Sequence, residues 1–445
     1  MKIEDSSRRK FLKQNLTIGL GAIALGAAGS CSPNKRDENT ETIPEKTQIL
    51  AGLTPEQLYE RYRNELFGRF LPAMNEFSID HEYGGIMCNI DIANRKIINT
   101  EKKTWFQGRG IWVYSFLYNN FEKKPEYLEV AKKAIDFILK LRPKGDDFWT
   151  DLHNKEGVPI SGPGDIYGDL FVAEGLAEYS KATGDSHYLK LAKEIIFRCL
   201  ERYDRPDYVY NIGYAPGRPK VNGPRVLGHW MIFLSLSTQI LKQGPDPDFE
   251  KLSDRCIEAI MKYHMNPEFR ILNEVINHDL TLPDNEYAQF SVIGHGIETL
   301  AFVMAEAVRR NDPSLLQTSA EAFKRHVEVA ADKLYGGYFE ILYHANNYTW
   351  SPSKSAWCQQ EILIGALLLI EQTGDTWARE CFTELDAYVQ EKMARPEFAF
   401  WTFGGDRKME KPSTRLVEHY HMPRHLMRNM LALERIMKKE AVNRG

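Results

Sequence analysis

Pro125-Glu126-Tyr127-Leu128-Glu129-Val130-Ala131-Lys132-Lys133 returns further down the chain as Ser186-His187-Tyr188-Leu189-Lys190-Leu191-Ala192-Lys193-Glu194. In both stretches the apolar residues recur at three- and four-residue spacing, the signature of one buried helical face. The turn before the second stretch, Thr183-Gly184-Asp185, returns as Thr373-Gly374-Asp375. Outward from these segments the same periodicity gives helices over Tyr127–Leu141, Leu170–Ala182, Tyr188–Tyr203, His229–Leu241, Leu252–Tyr263, Gly296–Arg309, Ala320–Leu334, Glu361–Gln372 and Trp377–Met393. Paired helices at a spacing of about 50–60 residues indicate a helical solenoid or a closed toroid. The sequence shows no capping-type ends, which favours closure into an all-α barrel of helical hairpins. Short strand or loop pieces at Gly84–Ile90, Phe148–Asp151, Gly336–Glu340 and Phe398–Phe403 are expected to decorate one rim.

The chain has 445 residues, of which 43% are hydrophobic and 27% charged, enough for one large core. A net charge of -4 and the lack of a Lys/Arg-rich tract in the body give no reason to expect nucleic acid. None of the six cysteines forms a Cys-x-x-Cys pair, so neither a zinc site nor a disulfide scaffold is indicated. There is also no phosphate-binding glycine loop and no His-x-x-x-His pair, and no cofactor is called for.

The N-terminus reads as an address. Ser7-Arg8-Arg9-Lys10-Phe11-Leu12-Lys13 precedes a Gly/Ala-rich apolar stretch from Leu16 to Gly29. That is a twin-arginine type of export signal, and the apolar stretch is too short and glycine-rich for a membrane span. Ala28-Gly29-Ser30-Cys31 resembles a lipoprotein cleavage box, with Ala28 where leucine is usual, so Cys31 is read as a lipidation site. The expectation is a leader over 1–31, a polar linker over 32–52 and a single domain over 53–445. The mature protein would be periplasmic or anchored to a membrane through Cys31 alone, as a monomer or homodimer.

Chemistry gathers where apolar helices begin. Trp105-Phe106-Gln107-Gly108-Arg109 opens one run; Arg225 and His229 open the next. His295 and Glu298 open another, and Lys354, Trp357, Gln360 and Glu361 a fourth. Arg415, His421 and Arg424 open the last, where the flanking His419 and His425 read as surface groups. Were these helices to run in one direction around a barrel, their first turns would meet at one mouth. A helix N-terminus depresses a histidine pKa and favours the neutral imidazole that a general base requires. His295 and His421 could then take a proton from one face of a substrate and return one to the other. His229, beside Trp230, reads first as a packing residue.

These segments resemble the N-acylglucosamine 2-epimerase family, also called the renin-binding protein family, from about Leu58 to Met437. Asp80-His81-Glu82-Tyr83-Gly84-Gly85 is similar to its Asp-x-x-x-Gly-Gly element, and Trp105 to Arg109 to its Trp-x-Gln-Gly-Arg helix. Gly294-His295-Gly296-Ile297-Glu298 is similar to Gly-His-x-Ile-Glu, and Lys354 to Glu361 to Lys-x-x-Trp-x-x-x-Glu. Tyr420-His421-Met422-Pro423-Arg424 is similar to Phe-His-Val-Pro-Arg. The resemblance implies an (α/α)6 barrel and a sugar 2-epimerase or aldose–ketose isomerase with no redox cofactor. It implies His295 and His421 as the acid/base pair at C2 of an open-chain sugar, acting through an enediolate. Arg109, Glu298, Glu361 and Arg424 would bind or orient a sugar or short oligosaccharide, together with Trp105, Trp357, His229 and Lys354. Arg109 would meet developing oxyanion charge. Two segments depart from the family. Phe400 stands where a carboxylate is expected, and Val417-Glu418 where Lys-Gly is expected, which argues against N-acylglucosamine itself as substrate.

Two other readings compete. A glycoside hydrolase or lyase on the same barrel would need a carboxylate pair, for which Asp151, Asp165, Glu298 and Glu361 are the available members. A non-catalytic carbohydrate-binding member would bind sugar without turnover.

Overall fold

Two kinds of helix alternate along the chain, told apart by how much of their circumference is buried. The computed structural model describes residues 49–212, 221 and 223–444. The stretch expected to be a twin-arginine leader, Cys31 and residues 32–48 of the expected linker lie outside the described residues. In chain order the helices are α1 (Pro55–Arg63, continued by wider π-type turns to Ser78), α2 (Thr104–Asn120), α3 (Pro125–Lys140), α4 (Ile166–Thr183), α5 (Ser186–Asp204), α6 (Leu227–Leu241), α7 (Pro247–Glu258), α8 (Ile293–Arg310), α9 (Pro313–Ala330), α10 (Ala356–Thr373), α11 (Thr376–Lys392) and α12 (His421–Arg444).

In α4 every residue from Ile166 to Ser180 is buried. In α5 burial is confined to a stripe made by Leu191, Ala192, Ile195, Ile196, Cys199, Arg202 and Tyr203. A helix without a solvent face belongs inside, and one with a single apolar stripe belongs on the surface. The even-numbered helices form the inner ring, each packed on the next, and α12 returns to α2. Helices α3, α5, α7, α9 and α11 each lie outside the helix they follow, while α1 lies outside α12. The first and last helices thus complete a sixth hairpin, and the ring is the expected (α/α)6 barrel.

The recurrent Thr-Gly-Asp turns have a direct physical cause. Gly184 (φ +75°) and Gly374 (φ +66°) end α4 and α10 in the left-handed region, which glycine adopts without a Cβ clash. Asp185 and Asp375 then cap the outer helices, accepting from the backbone N–H of His187 and Ala378. The α9 helix stops at Ala330, short of the expected Leu334, because Asp332 accepts from the N–H of Leu334 and turns the chain.

Of the expected strand or loop pieces, Gly84–Ile90 ends in a strand, where Ile90–Asp91 pairs with Lys96–Ile97, and the others are loop or single bridges. Ile86, Thr150 and Tyr338 form only isolated bridges, and no strand covers Phe398–Phe403. Three other pairs, Lys102–Lys103 with Leu152–His153, Arg225–Val226 with Val275–Ile276 and Lys354–Ser355 with Gly404–Gly405, lead straight into α2, α6 and α10. They fix where those inner helices start.

A buried brace reinforces two of these entries. Fully buried Lys102 pairs with Asp80 at 2.7 Å and donates to the carbonyls of Gly84 and Lys155, each at 2.7 Å. The Gln107 amide accepts from Ile86 N at 2.7 Å and donates to Ile86 O at 2.9 Å. Gly85 (φ +90°) must be glycine, since a Cβ there would meet Gln107 Oε1 at 2.5 Å. The same brace returns at identical spacing, with Lys354 on Asp332 at 3.0 Å and on the Gly336 carbonyl, and Gln359 bonded to both backbone groups of Tyr338.

Lys102→Met would strand the Asp80 carboxylate without its cation. The expected loss is about 3–5 kcal/mol of unfolding free energy, read from urea melts. Lys354→Met should lose less, because Arg407 also holds Asp332, at 2.8 Å.

Candidate active site

The first turns of the inner helices converge on a cavity of about 420 Å³. Trp105, Phe106 and Arg109 enter from α2, Tyr167 and Phe171 from α4, His295 and Glu298 from α8, Trp357 from α10 and His421 from α12. Glu340 and Glu418 join from the segments that precede α10 and α12.

Both histidines contact Trp357, whose ring centre is 5.6 Å from that of His295 and 5.5 Å from that of His421. Each is backed by a fully buried carboxylate. His295 Nδ1 lies 3.0 and 3.1 Å from the two Glu274 oxygens, and His421 Nδ1 lies 2.9 Å from Glu361 Oε1. A ring that donates Nδ1–H to a carboxylate keeps its lone pair on Nε2. Burial pulls the His295 pKa down, but Glu274, through its charge and hydrogen bond and with Glu298 and Glu340 behind it, outweighs that and raises it above 6.5. The helix N-terminus was expected to push the other way; a full carboxylate charge in contact exceeds a partial dipole.

Behind His421 the Arg424 guanidinium is bonded to Glu361 and lies 3.8 Å from Glu298. Burial works against ionisation of both acids. Arg424 and His421 nevertheless hold Glu361 well below the usual carboxylate range, whereas burial and the charge of Glu361 raise Glu298. Burial also raises Glu340. The pocket therefore presents carboxyls that keep their protons more readily than exposed ones. One atom each of Glu298, Glu361 and His421 lie within 4.8 Å of one another, the set best able to hold a cation, and Arg424 already supplies positive charge there.

Arg109 lies over the rings of Phe171 (4.2 Å), Tyr420 (4.5 Å) and Trp105 (4.8 Å). Its Nη1 is 3.7 Å from Glu418, whose other oxygen accepts from the backbone N–H of both Tyr420 and His421 at 2.9 Å. Glu418, in the Val417-Glu418 departure, thus fixes the start of α12 and offsets the Arg109 charge. Gly108 lets α2 meet α4, since a Cβ there would come within 2.2 Å of the Phe171 carbonyl carbon.

Of the expected substrate-binding residues, Trp105, Arg109, Glu298 and Trp357 line the cavity. Glu361 and Arg424 stand behind His421. Lys354 does not reach the cavity, and its assignment is corrected: the buried ion pair with Asp332 holds it in the wall. His229 is likewise buried, among the rings of Tyr167, Tyr203, Tyr208 and Tyr210. His419 and His425 are buried as well; His419 Nε2 donates to Phe106 O at 2.9 Å. Phe400 packs edge-on against Phe70 in the core. Of the acids that hydrolysis would use, Asp165 caps α4 and Asp151 pairs with Lys103 across 3.7 Å, while Glu361, close to Glu298, is bonded to His421 and Arg424. Sequence reasoning missed Glu274, Glu340 and the aromatic wall of Tyr167 and Phe171. Only the wall had a readable signal, two aromatics four residues apart in the first turns of α4.

Residues 84–423 match the family model described as N-acylglucosamine 2-epimerase (GlcNAc 2-epimerase). The N-acylglucosamine 2-epimerase of Rattus norvegicus is 23% identical over 343 residues, covering 73% of this chain and 79% of the relative. The cellobiose 2-epimerase of Bacteroides fragilis is 22% identical over 386 residues, covering 80% and 93%. The solved cellobiose 2-epimerase of Bacillus thermoamylovorans B4167 superposes with a TM-score of 0.74 at 17% identity, covering 84% of this chain and 99% of that one.

Because the folded state raises the His295 pKa, this group adds stability that is complete below about pH 6.5 and fades as pH rises through the higher folded value. Glu274→Gln should lower the His295 titration midpoint in NMR and remove that part of the pH dependence of urea unfolding. An unmoved midpoint would show that Glu274 is not the cause.

Proposed function

The chain belongs to the N-acylglucosamine 2-epimerase family and is an epimerase-type isomerase, and from that premise we propose that it inverts C2 of a reducing sugar by proton transfer between His295 and His421. The observation that carries this reading is a pair of cavity-lining imidazoles that both contact Trp357, each with Nδ1 held by a buried glutamate.

In the open-chain aldose, one histidine takes the C2 proton on Nε2. The electron pair of that C–H bond forms the C1–C2 double bond, and the carbonyl electrons move onto O1. Arg109, held in its aromatic box, is the cation placed to meet the enediolate oxygen. The other histidine, protonated, delivers its proton to the opposite face of C2. Delivery to C1 instead, with the O2 proton passing to O1 as C2 becomes the carbonyl, would yield the ketose. Glu274 and Glu361 stabilise whichever imidazole carries the extra proton and hold each ring in place. Glu298 and Glu340, with raised pKa values, suit hydrogen bonds to sugar hydroxyls, and the indole faces of Trp105 and Trp357 suit the apolar face of a pyranose. A cavity of about 420 Å³ falls within the range of small-ligand pockets, of a size for a mono- or disaccharide. The leader at Arg8-Arg9 supports a sugar met outside the cytosol.

Mature protein incubated with aldoses, N-acylhexosamines and disaccharides in heavy water should place deuterium at C2 of one of them, seen by NMR. His295→Asn and His421→Asn should each slow that exchange by about 10²- to 10⁴-fold. Full exchange in both variants would refute the two-histidine mechanism, and sugar binding without exchange would favour the non-catalytic reading.

A further inference from the structure

At the other mouth of the ring, the C-terminal turns of the inner helices enclose a second cavity of about 630 Å³. Its lining is strongly cationic, with Lys181, Lys242, Arg424, Arg428, Arg435 and Lys439 against Glu178 and Glu371. Four of these cations are accounted for. Arg424 is bonded to Glu361, Arg435 to Glu371, Lys439 to the Glu371 carbonyl, and Lys181 lies 3.8 Å from Glu178. Lys242 and Arg428 are different, because neither side chain forms a hydrogen bond or ion pair within the described residues.

Convergent helix C-termini attract cations, and Lys242, which directly follows α6, fits that explanation. Arg428 does not. It is the eighth residue of α12, two turns in and too far from either end for the dipole to account for it. It is only partly buried, and ring faces hold it, Phe116 at 4.9 Å and Trp112 at 5.7 Å, leaving its donors unused. Lys242 lines the same cavity from the end of α6, with its side chain open to solvent. An unpaired, pre-positioned guanidinium with an ammonium facing the same cavity is the donor set that recognises an oxyanion.

We propose that this second mouth binds a small phosphate-type oxyanion, either free or as the ester of a small molecule, between Arg428 and Lys242. Arg424 lines the same cavity and carries Glu361, so a bound anion would sit one residue's reach from the support of His421. The site is independent of the sugar chemistry proposed above.

The test is calorimetry on the purified protein in phosphate-free buffer of low ionic strength, with inorganic phosphate and with glycerol 3-phosphate as probes. One saturable site is expected, weakening as salt is added. Arg428→Gln and Lys242→Gln, with folding checked by circular dichroism, should each weaken it by about tenfold or more, the worth of one charge-assisted hydrogen bond. Tighter binding of glycerol 3-phosphate identifies an ester as the ligand; equal or tighter binding of inorganic phosphate identifies the free anion. No saturable binding of either probe, or binding unchanged in both variants, overturns the site. Because Lys242 is solvent-exposed, Lys242→Gln decides the matter should Arg428→Gln fail to fold.

Discussion

Helices that run in the same direction around a closed ring must all begin at one mouth and all end at the other. That constraint comes from alternation: each inner helix hands over to an outer one running back, and the next inner helix starts where the last one started. Everything with chemistry in this chain inherits its position from it. Side chains from first turns meet in one cavity, side chains from last turns meet in another, and the two cavities lie on one axis. The ring depends on closure by its extremes, since α12 has α1 as its outer partner and α2 as its inner neighbour.

Parallel starts bring a cost that the structure meets in several ways. The first N–H groups of each inner helix have no partner within the helix. Short strand pairs lead the chain into α2, α6 and α10 at a fixed angle, and Glu418 accepts two of the free N–H groups at the start of α12. The braces built on Lys102 and Lys354 bury a full ion pair beneath a glycine turn, an arrangement that stabilises only because carbonyls and an aspartate satisfy the ammonium. Rigid entries matter here because a proton acceptor works only within hydrogen-bond reach of the carbon acid.

Much of this was legible. The apolar spacing marked the helices, and Thr-Gly-Asp marked two hairpin turns, because left-handed caps and aspartate N-caps are local events. His295 and His421 were legible because an apolar helix runs on from each of them. Glu274 was not: it partners His295 across a loop, and nothing beside it in sequence sets it apart from a surface glutamate. Lys354 misled because a lysine just ahead of an apolar helix, in a Lys-x-x-Trp-x-x-x-Glu segment, reads as a ligand group, whereas the residue that decides its role, Asp332, lies far earlier in the chain. The matching intervals of Asp80 to Lys102 and Asp332 to Lys354 could have exposed the brace, but only to a comparison of distant segments. His419 and His425 likewise look like surface groups until the helix that buries them is placed.

Between the two cavities lies a small set of buried charges whose balance is instructive. One guanidinium, Arg424, faces two acids, Glu361 and Glu298, beside one imidazole, His421. In a poorly solvated space, ionising both acids against a single cation leaves an unpaired charge, which is expensive. The set resolves this by separating its acids: Glu361, in direct contact with Arg424, is held ionised, while Glu298, farther away and repelled by Glu361, is pushed toward its protonated form. With His421 neutral, the net charge is then close to zero. Glu361 touches both Arg424 and His421 Nδ1, so one carboxylate is the anionic partner of both. A site whose charges are settled before substrate arrives is suited to passing a proton in either direction.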